Sequence, residues 1–290
     1  MAGINLSKET VLVEEIKVYH KGSKKKPLNV IMVLGEHGFQ SGEGRSRSNI
    51  DLPGLQQELL EAVYKVNKNI VLVLMNGRPL AINWANENIP AILETWHLGT
   101  QSGNAIAEVL YGDYNPSGKL TMSFPKNVGQ IPIYYNHKTT GRPINIEKNV
   151  FWSHYSDVSN EPLYEFGFGL SYTSFSYKDL KLSAASLSKD SNIKVSFTLA
   201  NTGKYEGKEV VQMYIQDLVG SITRPVKELK GFEIVSLKSG ESKEISFTID
   251  AKTLQFYTAN NKWETEPGDF KVFIGGSSKT TLESGFSFEE

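Results

Sequence analysis

The chain contains no cysteine. That excludes disulfides, a thiolate nucleophile and any cysteine-based metal site. It leaves the compartment open, because disulfide-free proteins also occur in oxidising ones. No apolar run approaches the roughly 20 residues of a membrane span. An excess of either sign of charge is missing too: 31 Lys and Arg face 32 Asp and Glu, a net charge of -1. Neither nucleic acid nor a membrane surface is expected as a partner on that balance. The opening MAGINLSKETVLVEE has no basic-then-apolar segment of the secretory kind, although a longer parent chain could carry one. No serine sits in a Gly-x-Ser-x-Gly setting, and no glycine loop matches the phosphate-loop or dinucleotide patterns. His20, His37, His97, His137 and His154 lack metal-ligand spacing, so no metal and no cofactor are expected.

What is present is a soluble globular composition, 39% hydrophobic and 22% charged, over 290 residues. That length has room for two domains of roughly 150 residues each. The chain is organised around residues 28–63. An apolar run ending at Gly35 reads as a strand buried on both faces. A long polar loop follows, and then an amphipathic helix opening near Pro53 with Leu55, Leu59, Leu60 and Val63 on its apolar face. Ile70–Met75 reads as a second strand, Leu80–Ala85 as a short helix, Ala91–Trp96 as a third strand, Asn104–Leu110 as a helix and Leu120–Phe124 as a last strand. Strands alternating with helices argue for a mostly parallel sheet, here of three to four strands. Before it, Glu9 to Tyr19 reads as a short helix, followed by a solvated turn with Lys21, Lys24, Lys25 and Lys26.

From Gly129 to Leu170 the chain is an irregular connector whose aromatic residues, among them Tyr135, Tyr164 and Phe166, are expected to pack on something. After Leu170 no helical period survives. Phe175–Leu182, Ile193–Thr202, Lys208–Asp217, Lys227–Val235, Ser242–Asp250 and Gly268–Gly275 read as strands of a β-sandwich of roughly seven strands. Val195, Phe197 and Leu199 are expected to face its core, as are Val211, Met213 and Ile215. The fold class is therefore α/β plus all-β: a partial α/β sandwich followed by a β-sandwich. The expected divisions are 1–27, 28–128, 129–170 and 171–290.

The chemistry is expected in the loop after the first strand, because ligands bind beyond the carboxyl ends of strands in open α/β sheets. Glu36, His37, Glu43, Arg45, Arg47 and Asp51 crowd that loop. A carboxyl there can serve as a general acid if burial or a neighbouring carboxylate raises its pKa. Arg45 and Arg47 would oppose that by favouring the ionised form. An acidic loop residue is more often a solvated or salt-bridged surface group, so spacing alone does not make Glu43 catalytic. Trp96 and His97, at the end of the third strand, lie on the same sheet edge by topology. They can line a sugar site or simply pack.

The motifs, taken in order, are specific. They begin with VLGE and SGEGRSRSNIDLPGLQQELLEAV, and continue with VLVLMNGRPLAINW, AILETWHLGTQSGNAIAEVLYGDYNPSGKLTMSFP and GQIPIYYNHKTTGRP. They end with PLYEFGFGLSYTSF and VVQMYIQD…RPVKELKGFEIVSLKSGE. From about Leu28 to Phe288 the chain resembles the C-terminal half of glycoside hydrolase family 3, the β-glucosidase type. The resemblance implies a fibronectin type III-like final domain, and a retaining mechanism whose aspartate nucleophile lies in an N-terminal barrel. It implies an acid/base glutamate in the second domain's loop, carried here to Glu43, with Glu36 the lesser candidate. Substrate contacts by His37, Arg45, Arg47, Trp96 and His97 are expected from loop position. The expected function is a fragment supplying the acid/base loop for hydrolysis of terminal β-D-glycosides, inactive without the barrel nucleophile. The alternative is a non-catalytic carbohydrate-binding or assembly module. Expected partners are a β-glycoside substrate and either the missing barrel domain or a second copy of the chain. A periplasmic or secreted setting is implied for a full-length parent.

Overall fold

The computed structural model describes residues 29–142 and 151–289. The helix expected at Glu9 to Tyr19 and the lysine turn after it lie outside the described residues. The chain divides into two compact units. One runs to Ala107 and includes Phe124–Ile131; the other comprises Glu108–Ser123 and the chain from Pro132 onward.

The first unit is built on a parallel three-stranded sheet of order β1 (Val30–Gly35), β2 (Ile70–Met75), β3 (Ala91–Glu94). Register pairs Gly35 with Met75 and Leu74 with Glu94, so the three carboxyl ends lie level. β2 is the central strand, and Ile70, Leu72, Val73 and Leu74 are buried. β1 departs from the expected strand buried on both faces. Met32 is buried, but Ile31 and Val33 are 45% and 53% exposed. β1 is an edge strand, and no described element covers that face.

Helix α1 (Gln56–Val66) starts later than Pro53. Gly54 takes a φ of 62°, a left-handed turn that a helix cannot absorb, and Leu55 is left 42% exposed. Leu59, Leu60 and Val63 are buried at helical spacing, each contributing about 1.5–3 kcal/mol. The late start has a use: it places Gln56 at the first turn, where its side chain reaches Gly35. Helix α2 (Asn83–Asn88) also starts late. Leu80 and Ile82 are buried side chains on non-helical backbone, and Ala81 N–H bonds the Ile50 carbonyl at 2.9 Å. β3 stops at Glu94 because Trp96 adopts a left-handed φ of 51°. Helix α3 (Ser102–Tyr111) follows, slightly longer than expected and without buried residues.

The expected strand at Leu120–Phe124 does not form. Leu120 instead exchanges backbone hydrogen bonds with Gly167 and Phe168, both at 2.7 Å. The sandwich has one sheet of order β5 (Ser186–Leu187), β13 (Leu282–Phe288), β12 (Gly268–Gly275), β7 (Gly207–Asp217), β8 (Glu228–Leu237). The other has the order β4 (Phe175–Leu182), β6 (Asn192–Asn201), β9 (Ser242–Asp250). All six residues expected in its core are buried there. β13 escaped the pattern because its Ser, Glu and Gly residues dilute the alternation. Part of the connector's aromatics pack as expected: Tyr135 stacks on Phe166 at 4.4 Å and meets Tyr214 edge-on at 5.7 Å, whereas Tyr134 and Tyr155 are exposed.

A one-turn helix, α4 (Ala251–Leu254), interrupts the sandwich, with the small hairpin β10 (Phe256–Tyr257) and β11 (Trp263–Glu264) beyond it. Four residues are too few to show a period. Its signal is a capping box: Asp250 accepts from Thr253 N–H at 2.8 Å, and the Thr253 hydroxyl reaches back to Asp250. The Thr253 bonds hold the Asp250 carboxyl below its ordinary pKa. A depressed carboxylate pKa gives stability that is present above the unfolded value and lost as pH falls through the folded one. Asp250→Ala is therefore expected to cost about 1 kcal/mol at neutral pH, and less in acid, in urea unfolding followed at both pH values.

Candidate active site

The candidate loop leaves β1 at Gly35 and is gripped at its base. Gln56 accepts from Gly35 N–H at 2.7 Å and donates to the Gly35 carbonyl at 2.9 Å. Glu36 comes next, and its side chain has no exposed surface. Arg47 Nη1 bonds Glu36 Oε1 at 2.9 Å, Arg78 Nε lies 3.0 Å from the same oxygen, and Gly77 N–H reaches Oε2 at 3.3 Å. Two guanidinium groups and a backbone donor therefore occupy this carboxylate. Its oxygens are committed to these buried contacts rather than open to a ligand.

Arg78 ties the loop together. Besides Glu36, its Nη2 donates to the Gln40 carbonyl at 2.6 Å and to the Arg45 carbonyl at 2.7 Å. In the sequence it sits in Asn-Gly-Arg-Pro, which reads as a turn. The usable signal was its place just beyond the carboxyl end of β2. Gly77 marks how closely the loop approaches, since a Cβ there would collide with Ser41 Oγ and lie 3.0 Å from His97 Nε2.

Glu43 is placed differently from Glu36. It is exposed, and among the described residues it has no hydrogen-bond or ion-pair partner. It is flanked by Gly42 at φ 119° and Gly44 at φ 67°, conformations that side chains rarely tolerate. The backbone thus projects Glu43 from a turn closed by Arg45 N–H on the Gly42 carbonyl at 3.1 Å. Arg45 is exposed, and its carbonyl serves Arg78. Arg47 is turned to Glu36. His37 is exposed, and its Nδ1 accepts from Phe39 N–H at 3.1 Å. His97 is exposed beside Gly77, whereas Trp96 packs its ring 5.8 Å from buried Phe124. The structure thus places Glu36, Arg47 and Arg78 together, with the loop and His97 meeting at Gly77.

Two further residues at this edge were not singled out by the sequence. Glu94, at the end of β3, accepts from Trp96 N–H at 2.8 Å and from Asn76 Nδ2 at 3.2 Å. Burial pushes its carboxyl up to about 7, against the pull of the bonds from Trp96, Asn76 and Thr95. Asn76, wholly buried at the end of β2, also donates Nδ2 to the Arg78 carbonyl at 2.8 Å. Both residues ended apolar runs, and nothing in their spacing set them apart. Among the described residues no group of three or more His, Asp or Glu is arranged to hold a metal ion.

This chain therefore joins a parallel α/β sheet, with a charged loop at its carboxyl edge, to a β-sandwich. The glycosyl hydrolase family 3 C-terminal domain matches residues 20–172, and the fibronectin type III-like domain matches residues 209–278. The chain belongs to glycosyl hydrolase family 3. It is 46% identical to the periplasmic beta-glucosidase of Salmonella typhimurium, over 98% of this chain and 40% of that protein. It is also 46% identical to a beta-xylosidase of Formosa agariphila, over 86% of this chain and 34% of that protein. The crystal structure of a beta-glucosidase from Listeria innocua in complex with glucose aligns with a TM-score of 0.87 and 40% identity, covering 96% of this chain and 38% of that one. The chain therefore spans no more than about two fifths of the relatives it matches.

Proposed function

We propose that this chain supplies the acid/base loop of a retaining β-glucosidase-type hydrolase acting on terminal β-D-glycosides, with Glu43 as the proton donor and acceptor. The observation that carries the reading is the contrast between the two glutamates on one loop. Glu36 is consumed by Arg47, Arg78 and Gly77, while Glu43 projects between two left-handed glycines with no partner among the described residues. A retaining mechanism also needs a nucleophilic carboxylate about 5–5.5 Å from the acid. The family resemblance puts that aspartate in a barrel domain, and this chain spans only the C-terminal two fifths of its relatives. On this reading His37, Arg45, Trp96 and His97 line the sugar side of the loop, and Arg47 acts only through Glu36.

The chain alone is expected to show little or no turnover of an aryl β-glucoside, and turnover is expected when a family barrel domain is added. A rate for the chain alone equal to that of a full-length relative would overturn the proposal. Sugar binding without rescue would favour the second reading, a non-catalytic carbohydrate-binding module. The relatives include both a beta-glucosidase and a beta-xylosidase, so the sugar is left at the level of a β-glycoside.

A further inference from the structure

We propose that Glu94 is a positioning residue for the Glu43 loop, acting through Asn76 and Arg78, and that a proton taken up at Glu94 loosens its hold on the Asn76 amide. This rests on the reading of the loop given above. Glu94 joins two features that share the carboxyl edge of the sheet. One oxygen holds Trp96 N–H at 2.8 Å, at the residue whose left-handed φ of 51° turns the chain toward His97. The other oxygen takes Asn76 Nδ2, and that same Nδ2 holds the carbonyl of Arg78. Arg78 in turn grips the loop carbonyls of Gln40 and Arg45. The path from Glu94 to the turn bearing Glu43 therefore passes through hydrogen bonds at every step.

The second, independent observation is an orphaned atom. Asn76 Oδ1 is buried and has no hydrogen-bond partner among the described residues. A buried acceptor left unpaired is costly, and each such group in a folded protein calls for an account. The orphan leaves the Asn76 amide held through Nδ2, by Glu94 and by the Arg78 carbonyl. An ionised Glu94 accepts from Nδ2 in a charge-assisted bond, and a protonated one holds it less strongly. The looser amide slackens its bond to the Arg78 carbonyl and with it the turn that aims the Arg78 side chain. The raised pKa of Glu94, a consequence of its burial, places this protonation in the neutral range. The other titrating or charged groups around the network are Glu36 with its partners Arg47 and Arg78, and His97 at Gly77. Helix α1 contributes the neutral Gln56 at Gly35.

The test uses the full chain and needs no catalysis, so it can fail without touching the Glu43 reading, and the reverse. Backbone and side-chain amide resonances of Trp96 and Asn76 are followed by NMR from pH 5 to 9. They are expected to move together with a midpoint near 7, and the Gly44 and Arg45 amides to move with them. In Glu94→Gln the transition is expected to vanish while the sandwich amides stay in place. In His97→Gln it is expected to persist. A transition absent from the wild-type chain overturns the proposal with no variant needed. So does one that survives Glu94→Gln, or one that moves Trp96 and Asn76 but leaves Gly44 and Arg45 still.

Discussion

Replacing Glu43 with glutamine in the chain paired with a family barrel domain is expected to lower turnover about 10²–10⁴-fold, the usual contribution of a general acid or base. Stability should hardly change. Glu43 is exposed and bonds to no described residue, and substitutions at such positions usually stay within about ±0.5 kcal/mol. The loss should also depend on the leaving group. A substrate with a poor leaving group needs its oxygen protonated as the bond breaks, and an activated aryl glycoside needs this far less. Rates for a pair of substrates that differ only in leaving-group acidity, with denaturant midpoints for both proteins, check the assignment. Equal losses for the two substrates, or a matching loss of stability, would show that Glu43 acts by holding the loop.

Glu36→Gln is expected to behave in the opposite way, costing about 3–5 kcal/mol of stability in the first unit. The carboxylate has no exposed surface and is shared between two guanidinium groups. Its amide isostere keeps the volume but carries no charge, so Arg47 and Arg78 lose their counterion. It also turns one acceptor oxygen into an NH₂ that faces other donors. Because Arg78 serves Gln40 and Arg45 as well, the damage should spread along the loop. Urea unfolding monitored at Trp84 or Trp96 would register the loss while the sandwich transition stayed put. Unchanged stability in Glu36→Gln would mean that the pair is relieved by solvent and that Glu36 is free for chemistry.

The pattern of alternation carried the fold because each unit has one dominant period. The three parallel strands, the sandwich and its six core positions followed from it. Exposure did not, since apolar side chains such as Ile31 and Val33 say nothing of what covers them. Leu120–Phe124 looked like a strand because it is apolar and short, yet its backbone forms isolated pairings at Leu120 and at Phe124 rather than a continuous ladder. In the site, the loop and its two acids were visible, but the division of labour between them was not. It depends on Arg78 and Gly77, more than forty positions from Glu36, and on glycine torsions that flank Glu43. Asn76 and Glu94 were hidden for a related reason: each is a polar residue at the end of an apolar run, and its role exists only once the strand ends lie level.

The two hydrogen bonds between Gln56 and Gly35 and the reach of Arg78 have a consequence for binding entropy. Ordering backbone costs about 1–2 kcal/mol per residue. A surface loop that became fixed only around its sugar would draw that cost from the affinity. Here residues 36–50 are bound at their base and along their length by groups from α1 and the end of β2, so folding itself meets the cost. An incoming glycoside would then find the loop already in shape, and its contacts would go into holding the sugar.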